Sequence, residues 1–382
     1  HRPPAPPAPA PMAVAQAAQW LAAAEQPLIV TSSYGQQPAE VPLLASLAER
    51  HALPVVAYRP RYVCLPTRHP MHLGHDPGPF LGTADVIVVL DSDVPWMPQL
   101  HRVNPQAKVI HIAPDPLFDR LPMRSFRCDL AITGDSAATV QALDRALEQC
   151  PARDAERIAA RRERLARRPA ARGPAPAADG DGPLTPAAVA AAVARFKQPG
   201  DILVNETASL PIGLLEFSEP GTYFGVSSAG GLGWGLGAAL GLKLGAPERR
   251  VICLVGDGAY MFGNPTPAHL VSAAMGLPTL TIIVNNRMWG AVRRATLSLY
   301  PDGAAAGATD PAFTRLEPAP AYERVVEASG GYGERVERAA DLPGALERAL
   351  HAVEQENRQA VLNVLVHYSD DTARRDARAG SS

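Results

Sequence analysis

Apolar and polar positions alternate along this chain in two blocks. From Met12 to about Cys150, helical spacing in "AVAQAAQWLAAAE", "VPLLASLAERHAL" and "SAATVQALDRALEQ" is interleaved with the short apolar runs "PLIVTSS", "PVVAY", "ADVIVVLDSD", "AKVIHIAPDP" and "DLAITGD". Short β-rich runs alternating with helices predict a parallel sheet covered on both faces. A second set starts at Leu184. Its helix "TPAAVAAAVARF" has Thr185 as N-cap and Pro186 at the first helical position. Then come "DILVNE", the Gly-rich "SSAGGLGWGLGAALGLKLG", "RRVICLVGDG", "TPAHLVSAAMG", "LPTLTIIVNN", a long loop region after Trp289, and "AVLNVLV". The predicted fold class is α/β, with two doubly wound parallel-sheet domains over residues 13–150 and 184–382.

Two stretches break the pattern. Residues 151–183 run from an Arg-rich helix candidate into Pro, Ala and Gly. Acids are interspersed and aromatics absent, so the reading is a solvated linker rather than a nucleic-acid surface. Residues 1–12, "HRPPAPPAPAPM", read as an extended linker, and a first residue that is His leads us to expect a domain before it.

Composition narrows the class without naming a chemistry. Of 382 residues 47% are apolar and 19% charged, with a formal net charge of −2. That is a globular chain, neither disordered nor basic enough to hold nucleic acid by bulk charge. Cys64, Cys128, Cys150 and Cys253 show no CxxC spacing and read as bystander thiols. No apolar run of membrane-spanning length and no signal peptide is found, so no membrane partner and a cytoplasmic location are expected.

The chemistry concentrates in "VGDGAYMFGNPTPAHLVSAAMGLPTLTIIVNN". One apolar run ends at Gly256-Asp257-Gly258, and the next ends at Asn285-Asn286. In open α/β sheets ligands bind at the carboxyl ends of strands, and a right-handed crossover puts both ends on one edge. A carboxylate and an amide oxygen converging there suit a hard cation such as Mg2+ or Ca2+ with a diphosphate completing its shell. Glycines on either side let backbone approach phosphate.

The spacing of these two signals resembles the signature of thiamine-diphosphate-dependent 2-oxo acid enzymes, the family of acetolactate synthase and benzoylformate decarboxylase. "VNETAS", "SSAGGLGWGLGAALG", "VGDGAYMFGN" and "VNNRMWGAVR" carry the resemblance, which covers the central and C-terminal domains of that family. It implies Mg2+ held by the side chains of Asp257 and Asn286 and by the carbonyl of Met288, with Asn285 orienting the loop. Gly256, Gly258 and Ala259 would line the diphosphate, and Ser209 would contact it. Gly230 would accept the cofactor's 4′-amino group, and Leu232 would be the apolar wedge that holds the cofactor bent, so that its own base sits beside the reactive carbon.

Further signals are read beside these. Gly233-x-Gly235-x-x-Ala238 fits a loose dinucleotide fingerprint, which keeps an NAD-binding oxidoreductase module open as an alternative. A non-catalytic subunit is another. "PTRHPMHLGH" holds His69, His72 and His75, but Pro66 and Pro70 favour a loop over a helical metal site. The resemblance makes His69 the proton-transfer residue and leaves His72 and His75 as loop histidines. Trp289 is read as either a pocket wall or a core aromatic. FAD, structural in the acetolactate synthase branch, is compatible with the family but not predicted.

The expected function is decarboxylation of a small 2-oxo acid dependent on thiamine diphosphate and Mg2+, similar to benzoylformate decarboxylase. The alternative is carboligation of the acetolactate synthase type. Family members activate the cofactor with a glutamate of a pyrimidine-binding domain. That domain is absent here, so it is an expected partner, this chain alone is expected to be inactive, and the intact protein is expected to be a homo-oligomer. Glu206 is assigned no such role.

Overall fold

A computed structural model describes residues 5–121, 123–168, 184–308 and 313–368. The described residues fall into two units: one up to 168 together with 217–221, the other 184–216 with 222–368.

The first unit runs α1 (Pro11–Ala23), β1 (Pro27–Thr31), α2 (Val41–His51), β2 (Val55–Ala57), α3 (Gly78–Leu81), β3 (Val86–Leu90), β4 (Lys108–Ala113), β5 (Leu130–Thr133), α4 (Ser136–Glu148) and α5 (Ala155–Ala166). Its sheet is wholly parallel in the order β2-β1-β3-β4-β5. β1, β2 and β3 are buried along their whole length, which is why each reads as a continuous apolar run rather than an alternating one. In α4 and α5 the residue before the helix is an aspartate whose side chain takes up a free N–H. The Asp135 carboxylate accepts from Ala138 N at 2.8 Å to start α4.

The Arg-rich run expected as solvated linker is packed structure as far as Ala166. Ile158 of α5 joins the core of this unit. Arg161 is only 3% exposed. Its guanidinium donates to Leu21 O at 2.8 Å, to Ala24 O, and to His51 O at 3.3 Å. These carbonyls lie at the C-terminal ends of α1 and α2, where the last turns leave acceptors unpaired. One cation therefore caps two helices, and an arginine-rich helix is bound by what its arginines can reach. The remainder of the expected linker, 169–183, lies outside the described residues, as do 1–4 of the N-terminal one. A second departure is the return of residues 217–221 to this unit, where Phe217 and Thr67 exchange hydrogen bonds of 2.9 and 3.1 Å.

The second unit runs α6 (Pro186–Phe196), β6 (Ile202–Glu206), β7 (Tyr223–Gly225), α7 (Gly235–Gly245), β8 (Val251–Gly256), α8 (Asp257–Phe262), α9 (Pro265–Met275), β9 (Leu280–Asn285), α10 (Gly290–Leu299), α11 (Ala304–Gly307), α12 (Glu323–Glu327), β10 (Tyr332–Val336), α13 (Leu342–Glu354) and β11 (Ala360–Leu365). α6 starts as the sequence predicts, with Thr185 Oγ1 accepting from Ala188 N at 3.1 Å. The sheet is parallel in the order β10-β11-β9-β8-β6-β7.

The region after Trp289, expected to be a long loop, holds four α-helices and the edge strand β10 among its described residues. The apolar spacing of Leu342, Ala345, Leu346, Ala349, Leu350 and Val353 does fit a helix and is buried, but Pro343 and Gly344 at its start read locally as a turn. Only Val336 of β10 is buried, so its sequence "YGERV" lacks a buried strand's apolar run. Among the described residues no helix is long and apolar enough to cross a membrane, and all four cysteines are free thiols.

Candidate cofactor site

β6 pairs with β7 on one side and β8 on the other, so the order of the second sheet reverses there. Ligands of open α/β sheets bind outside the carboxyl ends of strands at such a reversal. Two acids mark this one. Glu206 ends β6, in register with Val255 of β8. Asp257 follows β8 and opens α8.

Asp257 is 3% exposed, and its Oδ2 is buried with no hydrogen-bond partner. Burial raises its pKa to about 6, while the backbone N–H groups of Gly258, Met288 and Arg287 pull the other way. A buried carboxylate oxygen without a donor calls for an explanation, and a cation is the simplest one. The donor set for such a cation is at hand. β8 and β9 are adjacent, with Gly256 opposite Val284, so the loop after Asn285 lies beside Asp257. Asn286 Oδ1 accepts from Met288 N at 3.0 Å, and the Met288 carbonyl accepts from Gly290 N at 2.8 Å. Each oxygen keeps a second lone pair. The residues therefore fit a hard cation.

Asn285 has a different task. It is fully buried, accepts from Arg287 N at 3.0 Å, and donates to Asn363 Oδ1 at 2.9 Å. Asn363 in turn donates to Glu323 Oε2 at 2.7 Å. This buried chain holds the Asn286–Met288 loop, in which Arg287 adopts a φ of +56°, on the edge of the sheet.

The remaining predicted residues divide by what faces them. A β-carbon on Gly230, Gly231 or Gly256 would meet nothing within 4 Å, which suits backbone lining an open cleft. Leu232 is 41% exposed. Ser209 is partly buried, with its hydroxyl 3.1 Å from that of Thr207. Ala259 is the exception, since its side chain belongs to the hydrophobic core and leaves only its backbone for a ligand. Trp289 is half-buried and lies on Gly258, where an added β-carbon would come within 2.4 Å of the ring.

Sequence reasoning passed over Glu206. It is 5% exposed, and its carboxylate accepts from Gly233 N and, at 2.7 Å, from Gly235 N. These are the first two glycines of the dinucleotide fingerprint. In such a fingerprint the helix N-terminus receives a pyrophosphate. Here the chain's own carboxylate fills that place, which argues against the NAD reading. An acid at the end of one strand and glycines 27 and 29 residues later were the available signal.

The histidine segment belongs to the first unit, and nothing there resembles a three-histidine metal site. Residues 71–74 pair with β2 through Val55 and Ala57. His69 Nδ1 accepts from Met71 N at 3.2 Å, and its Nε2 lies 3.8 Å from Glu49. Burial lowers its pKa, with Glu49 opposing. His72 Nδ1 accepts from Gly74 N, His75 Nδ1 bonds the Ala57 carbonyl at 2.9 Å, and the two rings meet edge to face.

Comparison with known proteins gives this arrangement a family. Residues 14–143 match the thiamine pyrophosphate enzyme central domain, and residues 209–364 match the thiamine pyrophosphate enzyme C-terminal TPP binding domain. A probable acetolactate synthase of Mycobacterium bovis is 28% identical over 95% of this chain and 63% of its own length. Benzoylformate decarboxylase of Pseudomonas aeruginosa is 31% identical over 75% of this chain and 53% of its own length. Among solved structures, the thiamine diphosphate-dependent 4-hydroxybenzoylformate decarboxylase of Rhodococcus jostii RHA1 superposes with a TM-score of 0.74 at 25% identity, covering 97% of this chain and 67% of that one. The chain thus spans between about half and two thirds of the length of the curated relatives named here. It belongs to the thiamine pyrophosphate enzymes and carries their central domain and their C-terminal cofactor-binding domain.

Proposed function

We propose that this chain holds thiamine diphosphate through Mg2+ and serves the decarboxylation of a small 2-oxo acid, in the manner of the benzoylformate decarboxylases it is similar to. The observation that carries the reading is the buried, unpartnered Oδ2 of Asp257 beside the Asn286–Met288 loop. Asp257, Asn286 and the Met288 carbonyl would hold the metal. The backbone at Gly256, Gly258 and Ala259, with the Ser209 hydroxyl, would hold the diphosphate. Gly230 and Leu232 would meet the rings. Bound thiamine diphosphate supplies an electron sink that lets a 2-oxo acid lose CO2. His69, kept neutral at pH 7 by burial, would move a proton to or from the reacting substrate.

A second reading, carboligation of the acetolactate synthase type, draws on the likeness to a probable acetolactate synthase over 95% of this chain. FAD is not predicted for either. At the carboxyl edge of the first sheet lies an open cleft of about 380 Å3 lined by Glu40, Asp91, Asp93, Asp115 and Asp135, and its one arginine among the described residues, Arg61, is already paired with Asp93. Five carboxylates oppose the diphosphate of a flavin dinucleotide.

Full activity on this reading requires a pyrimidine-binding domain bearing the activating glutamate, from the same gene product or a partner chain. The longer relatives support this. So do exposed apolar side chains of the second unit: Leu244 of α7, Phe262 of α8, and Leu270 and Met275 of α9 are all more than half exposed. A cytoplasmic homo-oligomer is part of the same proposal. Calorimetry tests the core of it. Thiamine diphosphate should bind in the presence of Mg2+ and not with chelator, and Asp257→Ala should abolish binding. NADH binding with no response to thiamine diphosphate would overturn it. Assays of the complete protein on benzoylformate and pyruvate then separate the two reactions.

A further inference from the structure

We infer that Glu206 is the positioning residue of the ring-holding loop: by accepting the backbone N–H groups of Gly233 and Gly235 it sets the place of Gly230 and Leu232. The inference rests on the reading above, in which those two residues meet the cofactor's rings.

Glu206 is a buried carboxylate, and among the described residues no cation forms an ion pair with it. Such a group survives only where hydrogen bonds replace its water. Here they come from the Gly233 and Gly235 amides at the N-terminus of α7, where the helix dipole adds to them. The two oxygens are divided between Gly233 and Gly235, so both ends of the tripeptide are fixed to the tip of β6.

The opposite face of that tripeptide is fixed too. Gly233 has a φ of +89°, and a β-carbon there would meet Gly263 Cα at 2.6 Å. Gly263 caps α8, the helix that Asp257 opens. The loop is thereby clamped between the Glu206 carboxylate and the end of α8. On its other side a β-carbon at Gly230 or Gly231 would meet nothing, and Leu232, next to the fixed Gly233 amide, stays 41% exposed. A segment pinned on one face and open on the other is built to present backbone and one apolar side chain to a ligand. Glu206 does this without reaching the ligand itself.

Glu206→Gln keeps the size but offers one acceptor oxygen in place of two, so one end of the tripeptide is released. Gly235→Ala attacks the same contact from the other side, because its methyl would lie 2.7 Å from Glu206 Oε2. Both variants and the wild-type chain are compared by amide hydrogen exchange without ligand, by urea unfolding, and by calorimetry with Mg2+ plus either thiamine diphosphate or inorganic diphosphate. The expected result is exchange at Gly233–Gly235 at least about tenfold faster with β8 and β9 still protected, and thiamine diphosphate bound about 10- to 100-fold more weakly. Inorganic diphosphate, which lacks the rings, should bind as it does to wild type. A merely structural glutamate would weaken both ligands in parallel or expose the whole sheet to exchange, and either result overturns the assignment. Unchanged exchange, or unchanged affinity for thiamine diphosphate, does so as well. If wild type binds neither ligand, the cofactor reading fails and the assignment with it. If wild type binds and the variants bind alike, the assignment alone fails.

Discussion

The indole of Trp289 lies against Gly258, in the first turn of α8, so closely that a β-carbon on Gly258 would sit 2.4 Å from a ring carbon. The ring stands at the centre of an inverse γ-turn, with φ −70° and ψ 60°, closed by the 2.8 Å bond from Gly290 N to Met288 O. The two motif halves are thus in direct contact, and the absence of a side chain at 258 is what allows it. Gly258→Ala should cost about 1–3 kcal/mol in urea unfolding, and most of that cost should vanish in a Trp289→Ala background. An equal cost in both backgrounds would show that the ring does not set the limit.

Asp257 should trade stability for binding. Its folded pKa of about 6 lies above the ordinary 3.8. The stability it contributes to the cofactor-free protein is therefore full below pH 3.8 and lost as pH rises through about 6. Asp257→Asn removes that loss, so at pH 7.5 the cofactor-free variant should be the more stable protein, by up to about 3 kcal/mol, while it no longer binds Mg2+. The difference between the two unfolding curves should shrink as pH falls toward 4. A variant that is less stable at every pH would contradict the buried charge.

Asn363 should matter to the metal without touching it. Asn363→Ala leaves the buried Asn285 amide and Glu323 without their partner, at a cost of about 1–3 kcal/mol. Because Asn285 holds Arg287 N, Mg2+ affinity should fall about 10-fold or more. A Mg2+ titration that matches wild type would cut the link between this chain of amides and the loop.

Arg161→Ala should destabilise the first unit by about 2–4 kcal/mol in thermal or chemical unfolding, since it uncaps two helices and buries their carbonyls unpaired. Burial lowers the guanidinium pKa only to about 10, so the loss should be the same at pH 6 and pH 8. A change within about 0.5 kcal/mol would return this helix to the solvated linker its composition suggests.

His69→Ala, tested in the complete protein, should leave the affinity for thiamine diphosphate within about twofold and lower kcat by about 10²–10⁴. An unchanged kcat would remove His69 from the proton transfers.

The amino-acid pattern alone was enough for the two parallel sheets, because strand and helix periodicities are local and most of the apolar runs, such as β1, β3 and β9, are buried over their own length. The pairing of Gly-Asp-Gly with Asn-Asn was legible for the same reason, since a strand end is marked by its own neighbours. Tertiary structure decided what the buried polar groups do. Glu206 meets an amide 29 residues away, Asn285 meets Asn363 across 78, and Arg161 reaches a carbonyl 140 residues before it. Burial makes each partner indispensable, since an unpaired group there is costly, but which partner arrives depends on how distant segments stack. A composition that reads as solvated linker, or a glutamate in the wrong domain for a known role, therefore takes its meaning only from the fold.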